Sequence, residues 1–246
     1  MKNALIFGAT SAIASETAKQ LAVKGYSLAL AGRNVEKLQS VIDDIKTLNS
    51  GTKVVPYNFN ALDYPSHIEI INSAINDLGN LDLIIIAHGT LPDNNELKSD
   101  FSGIKEAFES NALSTFSIAE ASAKYFEPLQ KGTIVVLSSV AGDRGRQSNY
   151  IYGAAKGAVS IYFQGLRNRL YKSKVHVITV KPGFVDTPMT ANLPKNFLFA
   201  KPSAIAKGII NAIDNKKDVV YLPFFWKYIM MIIKFIPESI FKKLSL

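Results

Sequence analysis

Short runs of continuous apolar residues alternate along the chain with longer stretches in which apolar positions recur every three to four residues. The short runs are ALIF from residue 4, SLALA from 27, KVVPYNF from 53, LDLIIIA from 81, TIVVL from 133, VHVITV from 175 and DVVYL from 218. Uninterrupted apolar runs such as LIII suit strands buried on both faces, and the segments between the runs (12–24, 34–48, 64–78, 101–127, 152–171 and 203–215) have helical length and spacing. Seven strands alternating with helices predict an α/β fold, a doubly wound and mostly parallel seven-stranded sheet with helices on both faces. No Ser/Pro-rich linker, charge block or fixed-period repeat interrupts the pattern, and 246 residues suffice for one such domain. Residues 1–223 therefore read as a single domain of Rossmann type, and 224–246 as an apolar, basic extension.

Sheets of this kind bind ligands beyond the carboxyl ends of their strands, near the point where strand order reverses. The chemically informative segments stand there: GATSAIA after the first strand, GRN after the second, AHG after the fourth, SSVAG after the fifth and KPGFVDTP after the sixth. Gly8-Ala9-Thr10-Ser11-Ala12-Ile13-Ala14 is a small-residue turn opening a helix, where free backbone N–H groups and the positive end of the helix dipole favour a phosphate. About twenty residues further on, a NAD-binding chain usually places a carboxylate for the ribose 2′-hydroxyl. Arg33 stands there instead, and its planar cationic fork suits a 2′-phosphate, so NADPH/NADP+ is the expected cofactor rather than NADH. The plainer reading of Arg33 is an exposed arginine before a helix.

Tyr152 and Lys156 are four apart and share one face of a predicted helix. An ammonium beside a phenol favours the phenolate, drawing a pKa from about 10 toward the working range of a general acid or base. Ser139, ending the fifth strand, either donates to a carbonyl oxygen on which negative charge grows or caps the strand end. Asn111, in the helix before that strand, either holds a water or backbone contact behind Lys156 or is simply solvated.

The turn at 8–14, the Asn in SNALS, LSSVAG, the YxxxK pair and PGFVDT together resemble the short-chain dehydrogenases/reductases of the compact, single-domain kind, over residues 3–223. The resemblance implies an enzyme interconverting a ketone and a secondary alcohol by hydride transfer. Tyr152 would be the proton donor or acceptor, Ser139 would orient the carbonyl, Lys156 would hold the nicotinamide ribose and lower the phenol's pKa, and Asn111 would complete a proton relay. The cofactor would lie against Gly8, Thr10, Ser11, Ala12 and Ile13, against Phe59, and against Ala87 and Gly89. Backbone from Pro182 and Gly183 to Val185, with the Thr187 hydroxyl, would position the nicotinamide carboxamide and the diphosphate. A homodimer or homotetramer is the expected assembly.

Three departures from the family pattern stand out. Ala12 and Ala14 replace the second and third glycines of the turn. Ile86-Ala87-His88-Gly89 replaces NNAG, leaving His88 either to reach the cofactor ribose or to be a packed or solvated histidine. Asn58 replaces an acid, keeping an amide oxygen for the adenine.

The absence of cysteine excludes disulfides and thiolate metal sites, no metal is expected, and a cytoplasmic setting fits. The formal charge of +8 suggests nucleic acid at first, but residues 191–246 hold nine lysines against three acids, a surplus of six. Those lysines interleave with apolar residues, which points to an anionic membrane surface rather than a nucleic acid, unless they form an ordinary solvated face. GDRGRQSNYIYGAAK and the tail LPFFWKYIMMIIKFIPESIFKKL resemble a narrower bacterial group, reductases similar to decaprenylphosphoryl-2-keto-erythro-pentose reductase. That resemblance implies a polyprenyl-phosphate-linked keto-sugar as substrate. Arg144 and Arg146 would then bind the lipid phosphate or sugar hydroxyls, the alternative being a loop fixed by salt bridges. A soluble carbonyl such as a 3-ketoacyl thioester or sugar, or a catalytically silent NADP-binding module, remains the other expectation. Phe224 to Ile236 is too short to span a bilayer and suits a helix lying on the inner membrane face, a subunit interface or a lid over the cleft.

Overall fold

The computed structural model describes residues 2–244; Met1, and Ser245 and Leu246 at the end of the predicted extension, lie outside the described residues. The first half runs β1 (Lys2–Phe7), α1 (Ala12–Val23), β2 (Tyr26–Gly32), α2 (Val35–Leu48), β3 (Val54–Asn58), α3 (Tyr64–Leu78) and β4 (Leu83–Ile86). Then come the short α4 (Asn94–Leu97), α5 (Phe101–Phe108), α6 (Ser114–Leu129), β5 (Thr133–Leu137), α7 (Tyr150–Leu170), β6 (His176–Pro182), α8 (Pro202–Asp214) and β7 (Val219–Leu222). α9 (Trp226–Phe235) and the single turn α10 (Glu238–Phe241) close the described chain. The strands form one sheet in the order β3-β2-β1-β4-β5-β6-β7, and every neighbouring pair is parallel. Strand order reverses between β1 and β4, which sets the ligand crevice beyond Phe7 and Ile86.

The continuous apolar strands are explained by burial on both sides. Ala4 and Ile6 of β1, Leu28 and Leu30 of β2, and Val135 and Leu137 of β5 join one core with α1, α2 and α8. Their alternating neighbours Leu5 and Phe7, Ala29 and Ala31, Ile134 and Val136 join the other core with α3, α6 and α7. Each fully buried leucine, isoleucine or phenylalanine contributes roughly 1.5–3 kcal/mol, so the two cores hold the strand ends rigidly beneath the crevice.

The structure departs from the predicted elements ahead of the fifth strand. The single helix expected over 101–127 is interrupted at Glu109–Leu113 by a turn of π-helix between α5 and α6. This widened turn rotates Asn111 inward until it is fully buried. The helix expected over Phe224 to Ile236 is present as α9, and Pro237 separates it from the single turn α10. α9 folds back on the body through Trp226 and Met230, which are buried with Val140 and flanked by Phe184 and Tyr221. Among the described residues, no helix is long and apolar enough to cross a membrane.

Candidate active site

The turn after β1 is built to approach its neighbours closely. Gly8 has φ +77°, and a Cβ there would stand 2.6 Å from the His88 backbone nitrogen, so only glycine fits. Gly8 and Ala9 N–H groups bond the Ala31 carbonyl at 2.9 and 3.0 Å, locking the turn to β2. Ser11 caps α1, its hydroxyl accepting from the Ala14 N–H at 3.3 Å. Asn34 caps α2 in the same way, accepting from the Lys37 N–H at 2.7 Å. The helix N-termini therefore open onto the crevice with small residues in front of them. Ala14 is buried in the core, so its methyl lies in the packing of α1 rather than in the crevice.

Two cavities share this crevice. A larger one, about 600 Å³, is lined by Gly8, Thr10, Ser11, Arg33, Phe59, His88 and Gly89. A second, about 330 Å³, is lined by Ala12, Ile13, Ala87, Ser139, Arg146, Tyr152, Lys156, Pro182, Gly183, Val185 and Thr187. Thr10, Ser11, Lys37, His88 and Gly89 line both, so the two form one cleft. Its length, the phosphate-ready turn and the cation at one end fit a dinucleotide whose nicotinamide end reaches the second cavity.

The predicted catalytic residues are drawn together by close packing of the loop after β5 on α7. A Cβ on Gly142 would meet Lys156 backbone at 2.5 Å, and one on Gly153 would meet the Ala141 carbonyl at 2.9 Å. Larger residues there would push Ser139 away from Tyr152. The two serines of this loop divide their work. Ser138 faces inward and bonds the Lys156 carbonyl at 3.0 Å and the Ser160 hydroxyl at 2.8 Å. Ser139 faces the cleft, accepts from the Ala141 N–H at 3.1 Å and hydrogen-bonds the Tyr152 phenol. Lys156 donates to the Leu137 carbonyl at 3.0 Å, with its Nζ 5.9 Å from the Tyr152 ring centroid.

The electrostatics correct one expectation. The phenol of Tyr152 is not pulled below its ordinary value; burial pushes it up to about 12, against a smaller downward pull from Ser139. Lys156 is itself drawn down to about 8 by burial, so the ammonium is a weaker influence than an exposed one would be. His88, half-buried in the cleft wall, is pulled down to about 3, by desolvation first and then by the Lys156 charge. Its ring is neutral near pH 7, with Nε2 2.7 Å from the Ser114 hydroxyl and Nδ1 buried without a partner among the described residues.

Three of the predicted residues do not line the cleft. Asn58 ends β3 exposed to solvent, and Asn60 and Leu62 of the next turn face the larger cavity instead. Asn111 spends its amide inside the protein, accepting from the Thr90 N–H at 3.0 Å and donating to Thr90 Oγ1 and the Ala107 carbonyl. It stands close to Gly89 and the Lys156 ammonium, behind the cleft wall. Arg144, expected at the substrate, is turned away from it. Its guanidinium donates to the carbonyls of Ile233, Lys234 and Ile236, pairs with Glu238 at 2.9 Å and lies over the Phe241 ring. The carbonyls that end α9 attract the nearest cation, and Arg144 meets that demand. Lys37 and Asn149 line the cleft although the sequence reading singled out neither. Lys37 stands one turn beyond Arg33, the only signal by which it is detectable.

Residues 2–197 match the family model described as short chain dehydrogenase. Among relatives, an uncharacterized oxidoreductase of Mycobacterium tuberculosis is 27% identical over 242 residues, covering 98% of this chain and 96% of the relative. One from Staphylococcus aureus is 30% identical over 219 residues, covering 89% and 93%. Among solved structures, levodione reductase is similar with a TM-score of 0.82 at 19% identity, covering 90% of this chain and 95% of that one. A short chain dehydrogenase/reductase from Burkholderia phymatum in complex with NAD gives 0.83 at 19% identity, covering 93% and 91%. At such identities the solved structures speak for the fold.

Proposed function

The chain belongs to the short chain dehydrogenase family, and from that premise we propose that it is an NADPH-dependent reductase converting a ketone to a secondary alcohol, with Tyr152 as proton donor. The observation that carries the proposal is the convergence of the Tyr152 phenol, the Ser139 hydroxyl and the Lys156 ammonium on one cavity continuous with a dinucleotide-sized one. A nicotinamide bound in that cleft would supply the hydride.

This chain's residues then manage the proton and the developing charge. With its pKa near 12, Tyr152 stays protonated at neutral pH and can donate to an alkoxide oxygen as it forms. Ser139 accepts a hydrogen bond from the Ala141 N–H, and the proton it shares with the Tyr152 phenol can turn to the same oxygen once a substrate is present. Lys156 holds one proton on the Leu137 carbonyl and has others for a ribose hydroxyl. Arg33, exposed at the rim of the larger cavity, faces it without an acid at the end of β2, which supports the phosphorylated nucleotide.

Nucleotide binding followed by ketone reduction tests the reading. The expected results are tighter binding of NADPH than NADH, a preference reversed or abolished in Arg33→Asp, and loss of turnover with retained binding in Tyr152→Phe. Equal affinity for the two nucleotides removes the 2′-phosphate argument, and full turnover by Tyr152→Phe removes the proton donor.

A further inference from the structure

We propose that Arg146 is an anion-binding subsite of the catalytic cavity, so that the substrate is a ketone carrying a phosphate or carboxylate. The inference rests on the reductase reading and adds the substrate's class to it. Among the described residues, Lys37, Arg146 and Lys156 line the smaller cavity, and no aspartate or glutamate does. Lys37 also faces the larger cavity and Lys156 is bonded to Leu137, whereas Arg146 belongs to the smaller cavity alone. Among the described residues its buried Nε has no hydrogen-bond partner. The neighbouring Asn149 Oδ1, in the same wall, is also buried and unmet among the described residues, and as an acceptor it calls for a donor such as a hydroxyl of the same ligand. An orphaned donor and an orphaned acceptor, three residues apart just ahead of α7, mark one corner as built for a polar ligand.

Arg146 is not needed to hold its loop. Asp143 already ties that loop to Lys181 and to the Tyr221 hydroxyl, and Arg144 ties it to the end of α9. A half-buried guanidinium without a counter-charge among the described residues is costly, and a carboxylate or phosphate offsets that cost with paired, charge-assisted hydrogen bonds. An uncharged ketone would leave Nε stranded, which is the condition under which a polar site rejects the wrong substrate most strongly. Leu91, Met189 and Leu193 line the same cavity and leave the rest of the substrate an apolar surface.

The test uses matched probes on the full chain with NADPH: 2-oxopropyl phosphate against hydroxyacetone, and 4-oxopentanoate against its methyl ester. The first pair reports a phosphate source and the second a carboxylate. Binding to the Tyr152→Phe protein with NADPH, followed by nucleotide fluorescence, gives a readout independent of turnover. We expect the charged member of at least one pair to bind at least about tenfold more tightly, the strength of a charge-assisted hydrogen bond. The advantage should vanish in Arg146→Gln, be partly kept by Arg146→Lys, and appear in KM rather than kcat. Equal binding within both pairs, no binding of any probe, or an unchanged preference in Arg146→Gln overturns the subsite. Selective binding with no reduction by the wild type overturns the reductase reading and leaves the subsite standing.

A separate observation concerns α9, for which we infer that the outer face rests on an anionic lipid surface. Trp226 and Met230 face the body, yet Tyr228, Met231, Ile232 and Phe235 are exposed, Phe235 by 82%. At 100° per residue, Lys227 and Lys234 lie side by side along one border of that apolar stripe. Among residues 224–244 the only acid is Glu238, and Arg144 neutralises it. An apolar stripe bordered by unopposed lysines complements anionic headgroups. Flotation of the full chain with phosphatidylcholine vesicles, with and without phosphatidylglycerol, tests this. We expect flotation only with the anionic vesicles, weakened by salt and lost in the Ile232→Asp, Phe235→Asp double variant, which keeps nucleotide binding. No flotation, flotation unchanged in the variant, or a wild-type dimer that the variant renders monomeric overturns the lipid assignment.

Discussion

Replacing Lys156 by methionine should change how stability depends on pH, by an amount that burial sets. The side chain is only 4% exposed, its hydrogen bond goes to an uncharged carbonyl, and burial draws the ammonium from 10.5 down to about 8. In the unfolded chain the lysine keeps its ordinary value. Between pH 8 and 10.5 the unfolded state therefore binds more protons than the folded one, and folding grows more favourable as pH rises through that window. The gain is absent below about pH 7 and complete above 10.5. At about 1.36 kcal/mol per pKa unit the whole effect is roughly 3 kcal/mol, of which about 2 kcal/mol falls between pH 7 and 9.5. Methionine has similar length and no proton to lose. Urea unfolding of the nucleotide-free proteins at those two pH values, compared as wild type minus Lys156→Met, isolates this residue from every other titration. The wild type should gain about 2 kcal/mol on the variant across the interval. A difference that does not move with pH would refute the desolvated ammonium, and a wild type that loses ground would mean that an acid supports it.

Other positions yield shorter predictions. Arg144→Ala removes the donors at the end of α9 and strands carbonyls there, a loss of about 3 kcal/mol; a thermal midpoint within 2 °C of wild type would show that the clamp contributes little. A Cβ at Gly183 would stand 1.9 Å from Trp226 Nε1, so Gly183→Ala should cost about 1–3 kcal/mol in overpacking and far less once Trp226→Ala has made room, as a double-mutant cycle would report. His88 is held near 3 against 6.5 in the unfolded chain, so it favours the folded state above pH 6.5 and weakens it as pH falls toward 3. Its ring resonances should not titrate between pH 5 and 8, and His88→Gln should unfold at lower pH than the wild type.

How far the site is legible in the sequence depends on whether each relation is local. Tyr152 and Lys156 are linked by one helical turn, and Ser139 by a strand end and a short loop, so spacing alone brings them near one another. The sheet was readable for a similar reason, because burial on both faces leaves the uninterrupted apolar runs of β1, β2 and β4. Asn58 and Asn60 are a harder pair. Both are polar and both follow β3, and the turn after the strand decides which of them faces the cavity. The π turn at Glu109–Leu113 carries no composition that separates it from ordinary helix, yet it sets the depth of Asn111.

Arg144 and Arg146 show where local reading ends. They are two apart in GDRGR with nearly identical surroundings, and in sequence terms they are interchangeable. One is captured by carbonyls some ninety residues later in the chain, and the other is left in the catalytic cavity with an unmet nitrogen. The capture has a consequence for the uncaptured partner. By anchoring the loop between Ser139 and Tyr152 to α9, Arg144 leaves Arg146 no structural duty, and its position then depends on the packing of Trp226 beneath Gly183 and Phe184. A tail that reads as an appendage is thus tied, through Arg144, to the loop that carries Arg146 into the active site. Disturbing the outer face of α9 should leave the site intact, whereas disturbing its inner face should alter substrate binding before it alters the chemistry.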